Sequence, residues 1–406
     1  MNPASRVAGA ASAAHDSPRW QVFWCGIRFL RCPVPVASGS GGVGFRWRRG
    51  GGMGLAAHEQ HEEAEAGDAV DALLGGYWRF HVLGAFVRLR VPDLLAEGPT
   101  TAAEVSDVLG AVRPDVVDTF LRCASAEGLL DRSGDGWYSA NAVTAALCRN
   151  GSHATLALML TAPGACRPME VLDQVVRHGR SRADLVFGGD DLWTYYRRTP
   201  HEAAWFSDWM QEFTEPVVDS VLDRYAFTGH RRVVDVGGGN GTLLHRVLAA
   251  HPDATGVLFD RPEVVSRASA VLKRLGLADR VELVGGDFFE GIPPGGDLYL
   301  LKSVLCDWDD ASCVRLLSRC REAAGPGVPI VVVDWVRGDG DSPVHDTISL
   351  QRLALNGGEI RTFGHFRGLF DAAGLELAVL DRPTPGTTHE WEPATIMEVV
   401  DASPWR

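Results

Sequence analysis

The run Arg232-Val-Val-Asp235-Val-Gly237-Gly238-Gly239-Asn240-Gly241-Thr-Leu-Leu holds the densest chemical information in this chain. An apolar strand feeds a glycine turn, and a helix follows with Leu243, Leu244, Val247 and Leu248 on one face. Glycines let the backbone pass close beneath a ligand, and the start of the helix leaves N–H groups free to bind it. The next strand, Thr255 to Phe259, ends in Asp260, nineteen residues past Gly241, where a carboxylate can take both hydroxyls of a ribose. Up to this point the pattern suits a dinucleotide and S-adenosylmethionine equally. A third element decides for the latter. Strand Val281 to Val284 runs into Gly285-Gly286-Asp287-Phe288-Phe289, an acid and aromatic pair fitted to the amine and ring of adenine.

These groups need a sheet to hold them. Residues 229–406 read as an open α/β sheet of Rossmann type, with the ligand at the carboxyl ends of the strands and Leu375–Leu380 and Thr395–Val400 as an antiparallel pair at one edge. Residues 53–165 read as helical and then winged: Thr100 and Thr101 precede Glu104 in a capping box, a second helix starts at Arg113-Pro-Asp, and Asp131 to Tyr138 makes two short strands around a glycine turn. Residues 166–228 read as a helical connector rich in large side chains. Met159 just before it, and Trp205, Trp209, Met210 and Phe213 within it, are expected to wall an aromatic substrate pocket. Residues 1–52 carry one acid against seven arginines and a Gly/Ser run, and read as a disordered tail or as sequence upstream of a true start at Met53.

Composition narrows the function. The 406 residues carry a formal net charge of −13, which removes a basic nucleic-acid footprint and favours a small-molecule partner. A winged helix often reads DNA, but the helix from Arg113 mixes Arg113, Asp115, Asp118, Arg122 and Glu127, so dimerisation is the better reading. No apolar run reaches the roughly 20 residues of a membrane span, and Arg28, Arg31 and two prolines interrupt the one stretch that resembles a leader. The eight cysteines lack metal-ligand spacing, so a cytoplasmic protein without a bound metal is expected. Cys313 and Cys320 are assigned to one buried helix face, and Trp308 to packing under the cofactor loop.

Taken together, Asp-Val-Gly-Gly-Gly-Asn-Gly, Phe-Asp-Arg-Pro-Glu-Val-Val, Gly-Asp-Phe-Phe, Leu-Lys-Ser-Val-Leu-Cys-Asp-Trp-Asp-Asp and Leu-Asn-Gly-Gly-Glu-Ile-Arg-Thr resemble the S-adenosylmethionine-dependent O-methyltransferases. The plant caffeic acid type and the bacterial enzymes of antibiotic pathways are the nearest in pattern, from about residue 68 onward. The resemblance implies a class I methyltransferase domain behind an N-terminal winged-helix dimerisation domain, and a homodimer acting on a small aromatic or polyketide-like metabolite. It also implies that Asp235, Gly237, Gly239, Asp260, Arg261, Asp287, Phe288, Lys302 and Ser303 surround S-adenosylmethionine, and that Asn356 borders substrate.

Two positions depart from the family. The histidine that takes the hydroxyl proton in Leu-His-Asp-Trp is Cys306 here, and the supporting glutamate of Gly-Lys-Glu-Arg is Ile360, with Glu359 displaced by one. Asp334 stands where an upstream acid is kept. General base catalysis is worth about 10²–10⁴-fold, so its loss demands an explanation. Three accounts are open: a substrate already acidic or nucleophilic that needs only positioning; a Cys306 thiolate acting with Asp307, which the adjacent carboxylate disfavours; or loss of methyl transfer, with the cofactor kept for hydroxylation, decarboxylation or cyclisation. The first is preferred, with Cys306 as a pocket wall.

Overall fold

The computed structural model describes residues 55–382, apart from Val112, Asp339 and Asp341, together with residues 395–402. The reading of residues 1–52 as a tail, and of Met53 as a start, lies outside the described residues. The chain separates into two units, residues 1–78 and 79–406. The boundary falls inside the long helix Leu55–Arg88. In the first unit that helix exposes Val70, Leu73, Leu74, Tyr77 and Trp78.

The second unit opens with the winged-helix elements. Helix Ala102–Leu109 starts in the expected capping box, where Glu104 N–H donates to Thr101 Oγ1 (3.3 Å) and Thr101 N–H to Glu104 Oε2 (2.8 Å). Helix Pro114–Ala126 follows, and β1 (Thr100–Thr101), β2 (Asp131–Arg132) and β3 (Trp137–Ser139) pair antiparallel in the order β1-β3-β2. Phe86, Val105, Leu121 and Tyr138 form the centre of their core. The buried Tyr138 hydroxyl is satisfied by Asp118 Oδ1 at 2.7 Å.

The large sheet contains β4 (Arg232–Val236), β5 (Thr255–Asp260), β6 (Val281–Gly285), β7 (Leu298–Lys302) and β8 (Ile330–Asp334). A short parallel ladder joins β9 (Val336–Arg337) to β10 (Arg361–Thr362), and β11 (Leu375–Asp381) and β12 (Thr395–Asp401) complete the main sheet. Its order is β11-β12-β8-β7-β4-β5-β6, parallel from β8 through β6, with β12 antiparallel to both β8 and β11. The central strands are buried on both faces, which explains their unbroken Val/Leu runs. Helices cover each face: Val217, Leu244 and Leu272 pack on one side, Leu317, Phe366 and Phe370 on the other. Cys313 and Cys320 are buried in the second layer, as read from their spacing.

Chain order reverses between β4 and β7, so the loops after those strands diverge and leave a crevice. Asp235 and Lys302 end the two strands at that crevice, Asp260 ends β5, and Asp334 ends β8. The parallel sheet therefore delivers four charged side chains to one edge.

Candidate active site

A cavity of about 770 Å³ opens over that edge, reached by Asp235, Gly237, Gly239, Asp260, Asp287 and Lys302 among its lining. Gly237, Gly239 and Gly241 have φ of 69°, 58° and 76°, a left-handed run that side chains rarely adopt. Space also decides at Gly237, where an added Cβ would lie 3.0 Å from Val304. Asp260 pins the turn: Gly239 N–H donates to its Oδ2 at 2.8 Å and Arg261 N–H to its Oδ1 at 2.7 Å. Burial raises the Asp260 carboxyl, and those two N–H donors pull it back down.

Arg261 reaches across the cavity mouth. Its guanidinium donates to the Trp193 carbonyl at 3.0 Å and lies 5.3 Å from the centre of that indole. Trp193 stacks on Trp308 at 6.2 Å, and Trp308 meets Phe288 and Phe289 edge-on at 5.6 and 4.7 Å. Trp308 packs against the apolar layer with Phe288 and Phe289, as read from the sequence, and also lines the cavity.

Ser303 takes φ 55° and receives a hydrogen bond from Lys302 Nζ at 3.1 Å. Burial pushes the Asp235 carboxyl up to about 7, with Asp260 adding to the rise and Lys302 opposing it. Burial also pulls the Lys302 ammonium down to about 8, against Cys306, Asp334 and Asp235. The cavity thus holds an acid and a base that both titrate near neutrality.

The catalytic positions separate on inspection. Cys306 is 1% exposed, and burial drives its thiol well above the ordinary range, so it is no thiolate base. Asp334 is fully buried, and both its oxygens accept backbone N–H groups, from Cys306 (3.2 Å) and Trp335 (2.8 Å). It holds the turn. Asp307 is the member of this segment's three that lines the cavity, and it pairs with Arg352. Burial raises its carboxyl, while Arg352 and Asn356 lower it.

Arg361 makes the backbone of this segment rigid. It is 1% exposed and donates to the carbonyls of Leu305 (2.9 Å) and Trp308 (2.6 Å) and to Asp310 (2.8 Å). Gly358 lets its loop press against the same turn, since a Cβ there would sit 2.0 Å from the Cys306 carbonyl. Ile360 is 3% exposed, and Glu359 lies nearer solvent, 3.9 Å from Arg361, so it does not replace the missing glutamate.

The structure brings only part of the expected substrate wall to the cavity. Met210 lines the cavity, joined by Phe206, Tyr196 and Trp193. Met159 is buried in helix Ala154–Leu160 and Trp205 packs edge-on to His201 at 5.3 Å, both outside the cavity lining. Trp209 and Phe213 stack at 5.1 Å, and Phe213 stacks on Trp335 at 5.5 Å, behind the lining. The 3.6-residue period explains part of the division: along helix Pro200–Arg224, positions 206 and 210 share a face and 205 and 209 lie beside it, while Phe213, one heptad past Phe206, stacks on Trp335. Asn356 also stays out of the lining, holding Gly358 N–H at 3.2 Å and Asp307. Arg352, Trp193 and Trp335 were missed. The available signal for Arg352 was a cation inside the apolar run Leu350-Gln-Arg-Leu-Ala-Leu.

Comparisons with known proteins agree with this geometry. Residues 169–376 match the family model of the O-methyltransferase domain, and residues 72–150 that of the O-methyltransferase dimerisation domain. The chain is 35% identical over 317 residues to the mitomycin biosynthesis 6-O-methyltransferase of Streptomyces lavendulae, covering 77% of this chain and 90% of that one. The solved mitomycin 7-O-methyltransferase superposes with a TM-score of 0.78 at 33% identity, covering 84% of this chain and all of that one. An O-methyltransferase of neocarzinostatin biosynthesis, solved with S-adenosylhomocysteine and 1,4-dihydroxy-2-naphthoic acid, gives 0.70 at 30% identity over 79% and 95% of the two chains. These relatives are methyltransferases. The alternative in which methyl transfer is lost gains no support from them and is set aside.

Proposed function

The chain belongs to the S-adenosylmethionine-dependent O-methyltransferases, and from that premise we propose that it methylates a hydroxyl of a small fused-ring aromatic or polyketide-like metabolite, with Asp307 receiving the hydroxyl proton. The carrying observation is that Asp307 lines the cavity at the turn where Cys306 and Asp334 are both withdrawn from it.

The residues present fit the cofactor. Asp260 offers its free lone pairs to a ribose, Asp287, Phe288 and Trp308 surround a space for adenine, and Asp235 stands beside the open glycine turn for an ammonium group. Lys302 and Ser303 close the far side. S-adenosylmethionine supplies an electrophilic methyl on a sulfonium. The chain does the rest: Tyr196, Phe206 and Met210 hold a flat apolar acceptor and exclude water, and the acceptor O–H bond breaks as its proton passes to an Asp307 oxygen, leaving the electron pair on the acceptor.

The test is methyl-labelled S-adenosylmethionine with a panel of naphthols, hydroxynaphthoates, phenazinols, indoles and thiols, reading product mass and S-adenosylhomocysteine together. Stoichiometric label on a fused-ring hydroxyl supports the assignment; label confined to a thiol or amine overturns it. Asp307→Asn is expected to lower kcat by about 10²-fold with little change in KM.

Asp235 makes cofactor affinity depend on pH. Its raised carboxyl takes up a proton as pH falls through about 7, and the protonated acid no longer attracts an ammonium. Calorimetric titration should show S-adenosylhomocysteine binding weaken by up to about tenfold per pH unit below that midpoint, and Asp235→Asn should flatten the slope.

The homodimer is assigned to the exposed stripe Leu73, Leu74, Tyr77 and Trp78, all of which lies within the matched dimerisation model. Leu73→Glu with Leu74→Glu should halve the mass by light scattering; an unchanged mass would move the interface elsewhere. A small-molecule partner and no nucleic acid remain the proposal, as does a cytoplasmic location. No helix among the described residues is long and apolar enough to cross a membrane.

A further inference from the structure

Arg352 is an unusual group to find where it is. It sits on helix Pro343–Asn356, which touches the catalytic turn Leu305–Asp307, and its side chain is 13% exposed. One end of the guanidinium pairs with Asp307. The plane lies 4.5 Å from the centre of the Trp335 ring, which is itself stacked on Phe213 and, through it, on Trp209. Its Nε is buried with no hydrogen-bond acceptor among the described residues. A planar cation clamped between a carboxylate and an indole is held in one orientation, and a carboxylate paired with it is held as well.

We propose that Arg352 is the positioning residue that makes Asp307 the proton acceptor of this enzyme, so that the Asp307–Arg352 pair takes over the task of the histidine replaced by Cys306. The inference rests on the methyltransferase reading above and goes beyond it by naming the group that keeps the base ionised and aimed.

The surroundings of Asp307 leave most of that work to Arg352. Lys302, at the end of β7, adds a weaker pull in the same direction and donates to Ser303. Cys306 and Asp334 flank Asp307 from its own turn and from β8, the first a protonated thiol and the second a carboxylate that would repel it. Tyr196 faces it from helix Leu192–Arg198 as a neutral phenol. Arg361 and Asp310 lie on the far side of the segment, bound to its carbonyls and to each other. Asn356 adds a neutral hydrogen bond. With the guanidinium removed, a carboxylate in so dry a site would hold its proton at neutral pH and cease to be a base.

The experiment uses the full-length protein loaded with S-adenosylhomocysteine, with carbon label on the aspartate side-chain carboxyls. The resonance that disappears in Asp307→Asn is assigned to Asp307 and followed through a pH titration in wild type, Arg352→Met and Arg352→Lys. The same proteins are assayed for methyl transfer to 1-naphthol and 4-nitro-1-naphthol across the pH range. Arg352→Met is expected to move the Asp307 midpoint up by at least about one unit. Its turnover of 1-naphthol should fall by at least about tenfold near neutrality and recover as pH rises past the new midpoint, and Arg352→Lys should restore most of both. The loss should shrink for the more acidic nitronaphthol, which needs the base least.

An Asp307 midpoint unmoved or lowered in Arg352→Met overturns the proposal, as does a turnover loss that is flat with pH and equal for the two naphthols, the mark of a structural role. If neither naphthol is methylated by wild type, the acceptor class proposed above fails by itself, while the titration still decides whether Arg352 governs Asp307.

Discussion

Asp260→Ala is expected to weaken S-adenosylhomocysteine binding by about 10²- to 10⁴-fold. A carboxylate on a ribose diol makes two charge-assisted hydrogen bonds, each worth roughly 1.5–3 kcal/mol when its partner is lost in a buried site. The loss is compounded because the same carboxylate anchors the glycine turn through Gly239 N–H and the next strand's exit through Arg261 N–H. Asp260→Asn keeps one acceptor and should lose less, about tenfold. Isothermal titration of both variants checks the pair, with thermal melting to confirm that they fold. Affinity within a few-fold of wild type in the alanine variant would remove the ribose from β5 altogether.

Arg361→Met should be the most damaging single change to stability near the site. Its guanidinium is buried and satisfies the carbonyls of Leu305 and Trp308 and the carboxylate of Asp310, three partners that methionine cannot serve. Breaking a buried charged network of this kind costs about 3–5 kcal/mol. For a unit of this size that corresponds to a drop in melting temperature of roughly 4–7 °C. The damage should also be local, because the two stranded carbonyls bracket Cys306 and Asp307. Calorimetry gives the first number, and turnover measured well below the melting transition gives the second. A variant that melts like wild type would mean that the turn is held by Asp334 and the Gly358 contact without help.

The cofactor half of the site was legible because each of its parts is local. A glycine with positive φ, a carboxylate at the end of a strand and an aromatic after Gly-Asp all act within a few residues of their own position. The strand order that brings Asp235, Asp260 and Lys302 to one edge is dictated by the right-handed crossovers of a parallel sheet. The capping box at Thr101 and Glu104 was readable for the same reason. On helix Pro200–Arg224 the density of aromatic residues was visible, but helical phase and the stacking of Phe213 on the distant Trp335 divided them between the cavity, with Met210 and Phe206, and a stack outside its lining, with Trp209 and Phe213.

The catalytic half depends on contacts between residues far apart in the chain. Arg352 meets Asp307 across 45 positions, Arg361 meets Leu305 across 56, and Asp334 reaches Cys306 N–H across 28. No periodicity records such pairs, since each needs β8 beside β7, or helix Pro343–Asn356 and β10 against the turn after β7. The sequence by itself determined the family, the sheet, the cofactor and the absence of the usual histidine, all properties of residue type and short spacing. Only the tertiary structure decided which of Cys306, Asp307 and Asp334 faces the cavity. It withdrew Cys306 into a dry core, committed Asp334 to two backbone N–H groups, and left Asp307 facing the cavity beside a buried guanidinium, because burial and charge pairing are properties of surroundings that no single segment carries.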